Sequence, residues 1–222
     1  MTRKQKIFLA IPAFSLAMIG DYLMGINSIG TDSTGKMVWN VVADWRLALS
    51  AVLGMLCAVL FAVSAIETCK MLEARHPKSK YVKLFKISNY AGILFFTFIH
   101  IAICMLIVIF NAGFEATGNT ELAKGMLFRV AKSVSIPLIL QFVFTDVLVT
   151  IAWFGIVLKG DIKLPKWTVI LNPIIIALIG QLINFIPFSF MGADSGFESF
   201  GWLLMYAAIY YSEKKNTKWK SI

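Results

Sequence analysis

Residues 7–26 of the chain read IFLAIPAFSLAMIGDYLMGI, and this run is apolar except for one carboxylate, Asp21. About 20 apolar residues are enough to cross a bilayer as a helix. A charged side chain at bilayer depth costs at least about 2.5 kcal/mol, so it is rare there without a partner or a function. The sequence therefore predicts a transmembrane helix and marks Asp21 as the first candidate functional residue.

The composition of the whole chain indicates a membrane protein. Of the 222 residues, 59% are hydrophobic and 15% are charged, with a mean hydropathy of +0.77. Soluble domains are nearer half apolar and a quarter charged. The three cysteines, Cys57, Cys69 and Cys104, are widely spaced and have no histidine partner at metal spacing. No metal site and no cofactor are therefore expected, and the chain lacks a P-loop for ATP hydrolysis.

Six apolar segments predict an all-α fold, a polytopic membrane bundle in which residues 1–222 form one domain. The segments are about 7–26, 47–68, 87–110, 134–158, 168–190 and 198–211. Pro173 lies inside the fifth segment and predicts a kink there. Between the third and fourth segments, an apolar residue at every fourth position predicts a short amphipathic helix with Thr120 as its N-cap. Its apolar residues are Leu122, Met126 and Val130.

The basic residues predict the orientation of the bundle. With both termini in the cytoplasm, sixteen of the 21 Lys and Arg residues fall on the cytoplasmic side. This asymmetry follows the positive-inside rule and requires an even number of spans. The net charge of +9 is thereby explained, so the partners expected are membrane lipids and not nucleic acid. An excess of Lys over Arg, 17 to 4, favours a bacterial plasma membrane.

Polar residues from five of the predicted spans fall at a similar depth, in the outer half of the bilayer, at about 1.5 Å of rise per residue. They are Asp21, His100, Gln141, Asp146, Gln181, Asn184 and Glu198. Such residues turn inward and find partners, so we expect them to line a shared ligand-binding cavity. The alternative is that they only hydrogen-bond neighbouring helices together. Because the layer contains carboxylates but no Lys or Arg, it suits a small cationic or polar solute.

The first segment also carries a stripe of small residues, Ala10, Ala13, Ala17 and Gly20, at spacings of three and four. Such a stripe allows close helix packing, either inside the bundle or against another membrane protein. The six spans, this stripe and an outward polar pocket resemble the substrate-binding components of energy-coupling-factor vitamin transporters. In that family an Ala-x-x-x-Ala face on the first helix docks the coupling subunit. Ala13 and Ala17 have that spacing, so the resemblance implies a membrane partner.

A second resemblance rests on the pattern Gly20-Asp21-x-x-x-Gly25. It is similar to uncharacterised bacterial families of six-helix membrane proteins, and this resemblance implies no activity.

Three functions remain open from the sequence. The first is binding or transport of a small solute, with Asp21 and Asp146 as main polar contacts and His100, Gln181 and Asn184 orienting the ligand. The second is an intramembrane enzyme that acts on lipid with an Asp/His acid–base pair. The third is a structural or immunity-type membrane protein without a ligand. We expect a protein that is not an enzyme.

Overall fold

A computed structural model gives the fold of residues 1–26, 28–31, 37–183, 192 and 194–218. The helices are α1 (Arg3–Phe8), α2 (Ala10–Gly25), α3 (Asp44–Arg75), α4 (Lys80–Thr117), α5 (Thr120–Ser133), α6 (Ser135–Phe142), α7 (Leu148–Lys159), α8 (Pro173–Ile183) and α9 (Phe197–Lys218). A π-helical turn, Val143–Val147, joins α6 to α7, and a 3-10 turn, Lys166–Ile170, precedes α8. Two short strands, β1 (Ile29–Thr31) and β2 (Met37–Trp39), pair in antiparallel orientation.

Four helical stretches in the described ranges are long and apolar enough to cross a membrane. They are Arg3–Gly25, Asp44–Arg75, Lys80–Thr117 and Ser135–Lys159, and Pro173–Ile183 is a shorter apolar helix. Helices of this length and composition are typical of membrane proteins. The predicted all-α class is confirmed, and four of the predicted spans correspond to helices that are long and apolar enough to cross a membrane.

The bundle is arranged around α2 and α4. Helix α2 packs against α3 on one side and α9 on the other, α4 packs against α3 and α7, and α8 packs against α9. The small-residue stripe of α2 is buried within these contacts. Close packing inside the chain therefore accounts for the stripe, since small side chains let neighbouring backbones approach.

Helices α3 and α4 extend beyond the predicted spans into the polybasic region. Only residues 76–79 lie between them, because the last turns of α3 and the first turns of α4 remain helical. An ion pair between Lys86 Nζ and Glu73 Oε2, 2.8 Å apart, joins these helix ends. Hydropathy identifies the part of a helix that crosses lipid, whereas Lys and Glu continue the same helix into water at little cost.

The predicted amphipathic helix is present as α5, but its predicted N-cap is wrong. Asn119, not Thr120, is the N-cap, because its Oδ1 accepts from the backbone N–H groups of the second and third residues after it at 2.9 and 3.2 Å. The face that is buried carries Ala123 and Leu127. The predicted apolar residues Leu122, Met126 and Val130 lie on the exposed side of α5, where an interfacial helix would meet lipid.

The predicted kink at Pro173 is also wrong, since this residue begins helix α8. A proline in the first turn loses no helical hydrogen bond, because its missing N–H would have no partner there. Asn172 precedes it, and Asn172 Oδ1 accepts from the Ile175 N–H at 3.0 Å as a helix cap does.

The segment between α2 and α3 contains the hairpin, which the sequence did not predict, and it is fixed to the bundle at two points. Arg46 Nη2 donates to the Ile26 carbonyl at 2.7 Å, at the end of α2. Asn111 of α4 accepts from the Val42 N–H and donates to the Val42 carbonyl. These contacts hold the segment beside the end of the bundle at which α2 ends.

Candidate functional site

A cavity of about 400 Å³ lies among α2, α3, α4, α6 and α9, near the end of α2. Its polar lining consists of Asp21, Ser28, His100, Gln141, Ser195, Glu198 and Ser199. The remaining walls are mostly apolar and include Phe14, Met24, Phe96, Ile99, Ile103 and Ile107. No Lys or Arg occurs among the lining residues that the structure describes. The volume falls within the range of small-molecule sites, about 300–1,000 Å³.

Asp21 is the centre of the polar lining. Ser199 Oγ of α9 donates to Asp21 Oδ2 at 2.6 Å, which connects α2 to α9. On its other side, Asp21 Oδ1 lies 3.6 Å from His100 Nδ1 of α4. This distance is too long for a direct hydrogen bond, and the two groups attract each other as an ion pair only when His100 is protonated and Asp21 is ionised.

The hydrogen bonds of Ser50 place a proton on Nε2 of the His100 ring. Ser50 Oγ donates to the Gly20 carbonyl at 2.9 Å and lies 2.9 Å from His100 Nε2. A serine hydroxyl carries one proton, so Nε2 must be the donor in the second contact. His100 Nδ1 therefore faces Asp21 either as a second N–H group or as a lone pair.

Two glycines form the slot that holds the His100 ring. A Cβ atom added at Gly54 of α3 would lie 2.3 Å from His100 Cδ2. One added at Gly20 of α2 would lie 2.9 Å from His100 Nε2. Both distances are shorter than real Cβ contacts allow, so glycine is needed on both sides. The ring is thereby clamped between two helices with Nδ1 toward Asp21.

One wall of the cavity is formed where α6 continues into the π-helical turn. Gln141 lines the cavity and its Nε2 donates to Thr145 Oγ1 at 2.8 Å. Thr145 is 2.9 Å from Asp146 Oδ2, and Asp146 is only 2% exposed. Its other oxygen, Oδ1, has no hydrogen-bond partner among the described residues. π-Helical turns are rare and often occur at functional sites.

An aromatic cluster closes the cavity on the side away from the end of α2. Phe14 stacks on Trp202 with ring centroids 5.3 Å apart, and Phe96 meets Trp202 edge-on at 5.2 Å. Phe61 and Tyr206 complete the cluster. Phe14 and Phe96 also line the cavity, so these rings form its floor.

Comparison with known proteins places the chain among relatives whose role is not known. Residues 1–216 match the model of a family of unknown function, DUF6796. The chain belongs to this family. The expectation of an uncharacterised family is thus confirmed, and no curated protein or solved structure matches the chain.

Four of the seven predicted site residues of this DUF6796 protein come together. The four that line the cavity are Asp21, His100, Gln141 and Glu198. Asp146 does not line the cavity; it lies in the π-helical turn after α6 and is buried. Gln181 does not contribute to the cavity lining; it is exposed, and its Nε2 donates to Asp194 Oδ2. Asn184 lies outside the described residues.

The sequence interpretation missed Ser50, Gly54 and Ser199. Ser50 and Gly54 are four residues apart on α3, and Cys57, another cavity residue, follows three residues later. This spacing of small residues on one helix face resembles the stripe of α2 and would have indicated a second closely packed face. Ser199 directly follows Glu198, and no local pattern marks it.

Proposed function

We propose that this protein binds a small cationic or polar solute in the cavity and acts as a membrane binding or transport component. The observation that carries the proposal is the charge of the lining. Two carboxyl groups, Asp21 and Glu198, face a mostly apolar space in which the described lining contains no Lys or Arg. An organic cation would satisfy these carboxyl groups, and the aromatic floor suits its apolar part.

The proposal includes a topology with six spans, both termini in the cytoplasm and the cavity in the outer half of a bacterial plasma membrane. The distribution of Lys and Arg along the chain supports this orientation. In it, the end of α2 and the hairpin face outward. Glu198 is exposed although it lines the cavity, which supports access for a solute from outside the bundle.

Asp21 is the residue expected to discriminate most strongly among ligands. It is held by Ser199 from α9 and faced by His100 from α4, so its carboxyl group has a fixed position in the cavity. Asp21→Asn removes the charge and keeps the size of the side chain. Binding of a cation should therefore weaken strongly, whereas binding of a neutral polar solute should weaken less.

The test is a thermal-shift screen of purified protein in detergent. Methylammonium, guanidinium and choline are the cationic probes, and acetate and phosphate are the anionic ones. A ligand at 100 times its Kd stabilises by about 2.7 kcal/mol, which gives a measurable shift. We expect a shift with at least one cation in the wild type and none in Asp21→Asn. Glu121→Gln, at an exposed ion pair on α5, is the matched control and should keep the shift.

Two results would contradict the proposed function. One is a cation-induced shift of the same size in wild type and Asp21→Asn. The other is a panel in which only the anions stabilise the protein. Each shift is measured from the unfolding midpoint of that variant without a probe, so a change in basal stability does not affect the comparison.

A second candidate function is an intramembrane enzyme acting on lipid. The contacts run from Ser50 Oγ to His100 Nε2 and from His100 Nδ1 to Asp21, which is the order of a Ser-His-Asp triad. Ser50 is fully buried and donates its proton to a backbone carbonyl, so it is not placed as a nucleophile. Asp21 and His100 would then act as acid and base. An unchanged lipid composition after deletion of the gene would exclude this candidate.

The third possibility, a structural protein without a ligand, requires that the polar side chains satisfy one another and leave little space. Several of them do form mutual hydrogen bonds, including Asp21 with Ser199 and Gln141 with Thr145. The remaining volume of about 400 Å³ nevertheless favours a role in ligand binding.

A further inference from the structure

Two further hollows in the surface lie where α4 begins and α7 ends. The first, here called the basic pocket, has a volume of about 540 Å³ and lies beside the turn between α3 and α4. The second, here called the apolar groove, has a volume of about 490 Å³ and runs along the last turns of α7. Tyr81 of α4 and Lys159 of α7 line both of them, so the pocket and the groove adjoin.

The basic pocket is surrounded by lysines. Lys78, Lys80 and Lys159 line it, and all three residues are exposed. Across the part of the chain that the structure describes, no ion pair joins any of these lysines to a carboxylate. Lysine binds phosphate groups as a point charge, so three ammonium groups around one open space suit a phosphate group.

One acidic residue, Asp161, also lines the basic pocket, but its oxygens are engaged within the protein. Asp161 Oδ2 accepts from Ser79 Oγ at 2.5 Å, and Asp161 Oδ1 lies 3.5 Å from His76 Nδ1. Both partners belong to the turn between α3 and α4, so Asp161 fastens this turn to the segment that follows α7. The lysines outnumber this carboxylate three to one, and the pocket keeps a net positive charge.

The apolar groove lies on the outside of the bundle, along a stretch suited to lipid. Its lining includes Ile151, Phe154 and Leu158, of which Ile151 and Leu158 are exposed. These residues lie in the last turns of Ser135–Lys159, which is long and apolar enough to cross a membrane. Lys159 ends that stretch, so the groove lies at the level of the hydrocarbon core and the basic pocket lies at the level of the lipid head groups.

Tyr81 has a fixed position at the boundary between the pocket and the groove. A Cβ atom added at Gly155 of α7 would overlap the Tyr81 ring, so this ring lies directly against the α7 backbone. Lys80 Nζ lies 5.2 Å from the centre of the same ring, within the range of a cation–π contact. A tyrosine together with lysines at the end of a span is typical of the membrane–water interface.

We propose that the basic pocket and the apolar groove form one binding site for an anionic phospholipid, with its phosphate group among the three lysines and one acyl chain along α7. Charge complementarity favours an anionic over a zwitterionic lipid, because a zwitterionic head group would bring its own ammonium group to the lysines. The site shares no lining residue with the Asp21 cavity and does not depend on what that cavity binds. Unlike the general attraction of a polybasic segment, it requires particular lysines.

The test is native mass spectrometry of the delipidated full-length protein in detergent, titrated with phosphatidylglycerol or with phosphatidylcholine of the same acyl chains. We expect the wild type to bind phosphatidylglycerol more tightly. The triple variant Lys78→Gln, Lys80→Gln and Lys159→Gln should bind it about 100-fold more weakly, at about fivefold per lysine. Its binding of phosphatidylcholine should change little.

The matched control for charge is the triple variant Lys83→Gln, Lys163→Gln and Lys166→Gln. It removes the same charge from exposed lysines that line neither the pocket nor the groove, and it should keep the affinity of the wild type. Ile151→Trp fills the groove and should weaken phosphatidylglycerol binding, whereas Leu178→Trp, at an exposed position of α8, should not. Gel filtration and circular dichroism establish which variants are folded.

Glycerol 3-phosphate distinguishes a lipid site from a site for a free phosphate ester. It carries the anionic group without acyl chains, so at equal concentration it should not displace phosphatidylglycerol, and this holds whether or not Ile151→Trp folds. Four results would overturn the proposal: equal binding of the two lipids by the wild type, equal losses in the two triple variants, unchanged binding in folded Ile151→Trp, or displacement of the lipid by glycerol 3-phosphate.

Discussion

His100 is positioned by groups that have no charge. Gly20 and Gly54 clamp the ring, and Ser50 sets which nitrogen carries a proton. The functional geometry of the Asp21–His100 pair therefore depends on close helix packing, and small changes in the glycines should alter it.

Gly54→Ala should destabilise the protein, because the new methyl group would overlap the His100 ring at 2.3 Å. Overpacking of this kind costs typically about 1–3 kcal/mol. Gly125→Ala in α5 is the control, since a Cβ there meets nothing within 4 Å and alanine favours a helix. Thermal unfolding in detergent should show a lower midpoint for the first variant and an equal or higher one for the second.

The same pair of residues can be examined with a double-mutant cycle. In a His100→Ala background the clash is removed, so Gly54→Ala should cost much less than in the wild type. An equal cost in both backgrounds would show that His100 does not occupy the slot.

The sequence could predict how deep each site residue lies along its helix axis. The predicted depths of Asp21 and His100 are the same, and the structure places Asp21 Oδ1 3.6 Å from His100 Nδ1. Depth does not give the rotation of a helix about its axis. Gln181 was therefore assigned to the same layer, although it is exposed and pairs with Asp194.

At the scale of the elements, single side chains determine where helices begin and end, and a hydropathy profile does not identify these side chains. The N-terminus of α5 depends on Asn119, whose Oδ1 accepts two backbone N–H groups, and not on the neighbouring Thr120. The π-helical turn is a further example, because residues 134–158 form one mostly apolar segment that gives no local signal for it. Contacts across the bundle, such as Ser88 Oγ to the Phe144 carbonyl at 2.5 Å, accompany that turn.

Asn119→Ala should destabilise α5 by about 1 kcal/mol, the usual cost of losing an N-cap side chain. Thr120→Ala is the matched control and should change stability little, because the Thr120 side chain does not cap the helix. Hydrogen exchange of the first α5 amides should accelerate in Asn119→Ala alone. Faster exchange in Thr120→Ala and not in Asn119→Ala would reverse the assignment of the cap.

At the scale of the whole molecule, the orientation in the membrane is open to direct measurement. Lys78, Lys124 and Lys215 can each be replaced by cysteine in the wild-type background. The native Cys57, Cys69 and Cys104 are buried and should not react with the label. A membrane-impermeant maleimide applied to intact cells should label Lys124→Cys only. Lys78→Cys and Lys215→Cys should react after permeabilisation.

This labelling pattern follows from an even number of spans with basic residues on the cytoplasmic side. Labelling of both Lys124→Cys and Lys215→Cys in intact cells, with Lys78→Cys unlabelled, would show an odd number of spans and would contradict the six-span topology. Labelling of Lys78→Cys instead of Lys124→Cys would show the opposite orientation.

The glycine slot also sets an order for biogenesis. The imidazole of His100 is costly in lipid while α4 is alone, because its polar nitrogens have no partner there. Gly20, Ser50 and Gly54 belong to helices that leave the ribosome earlier. The helices α2 and α3 must therefore be inserted and able to receive the ring before α4 becomes stable in the bilayer. Synthesis from the N-terminus supplies them in that order, so nascent chains truncated after α4 should already hold this three-helix unit.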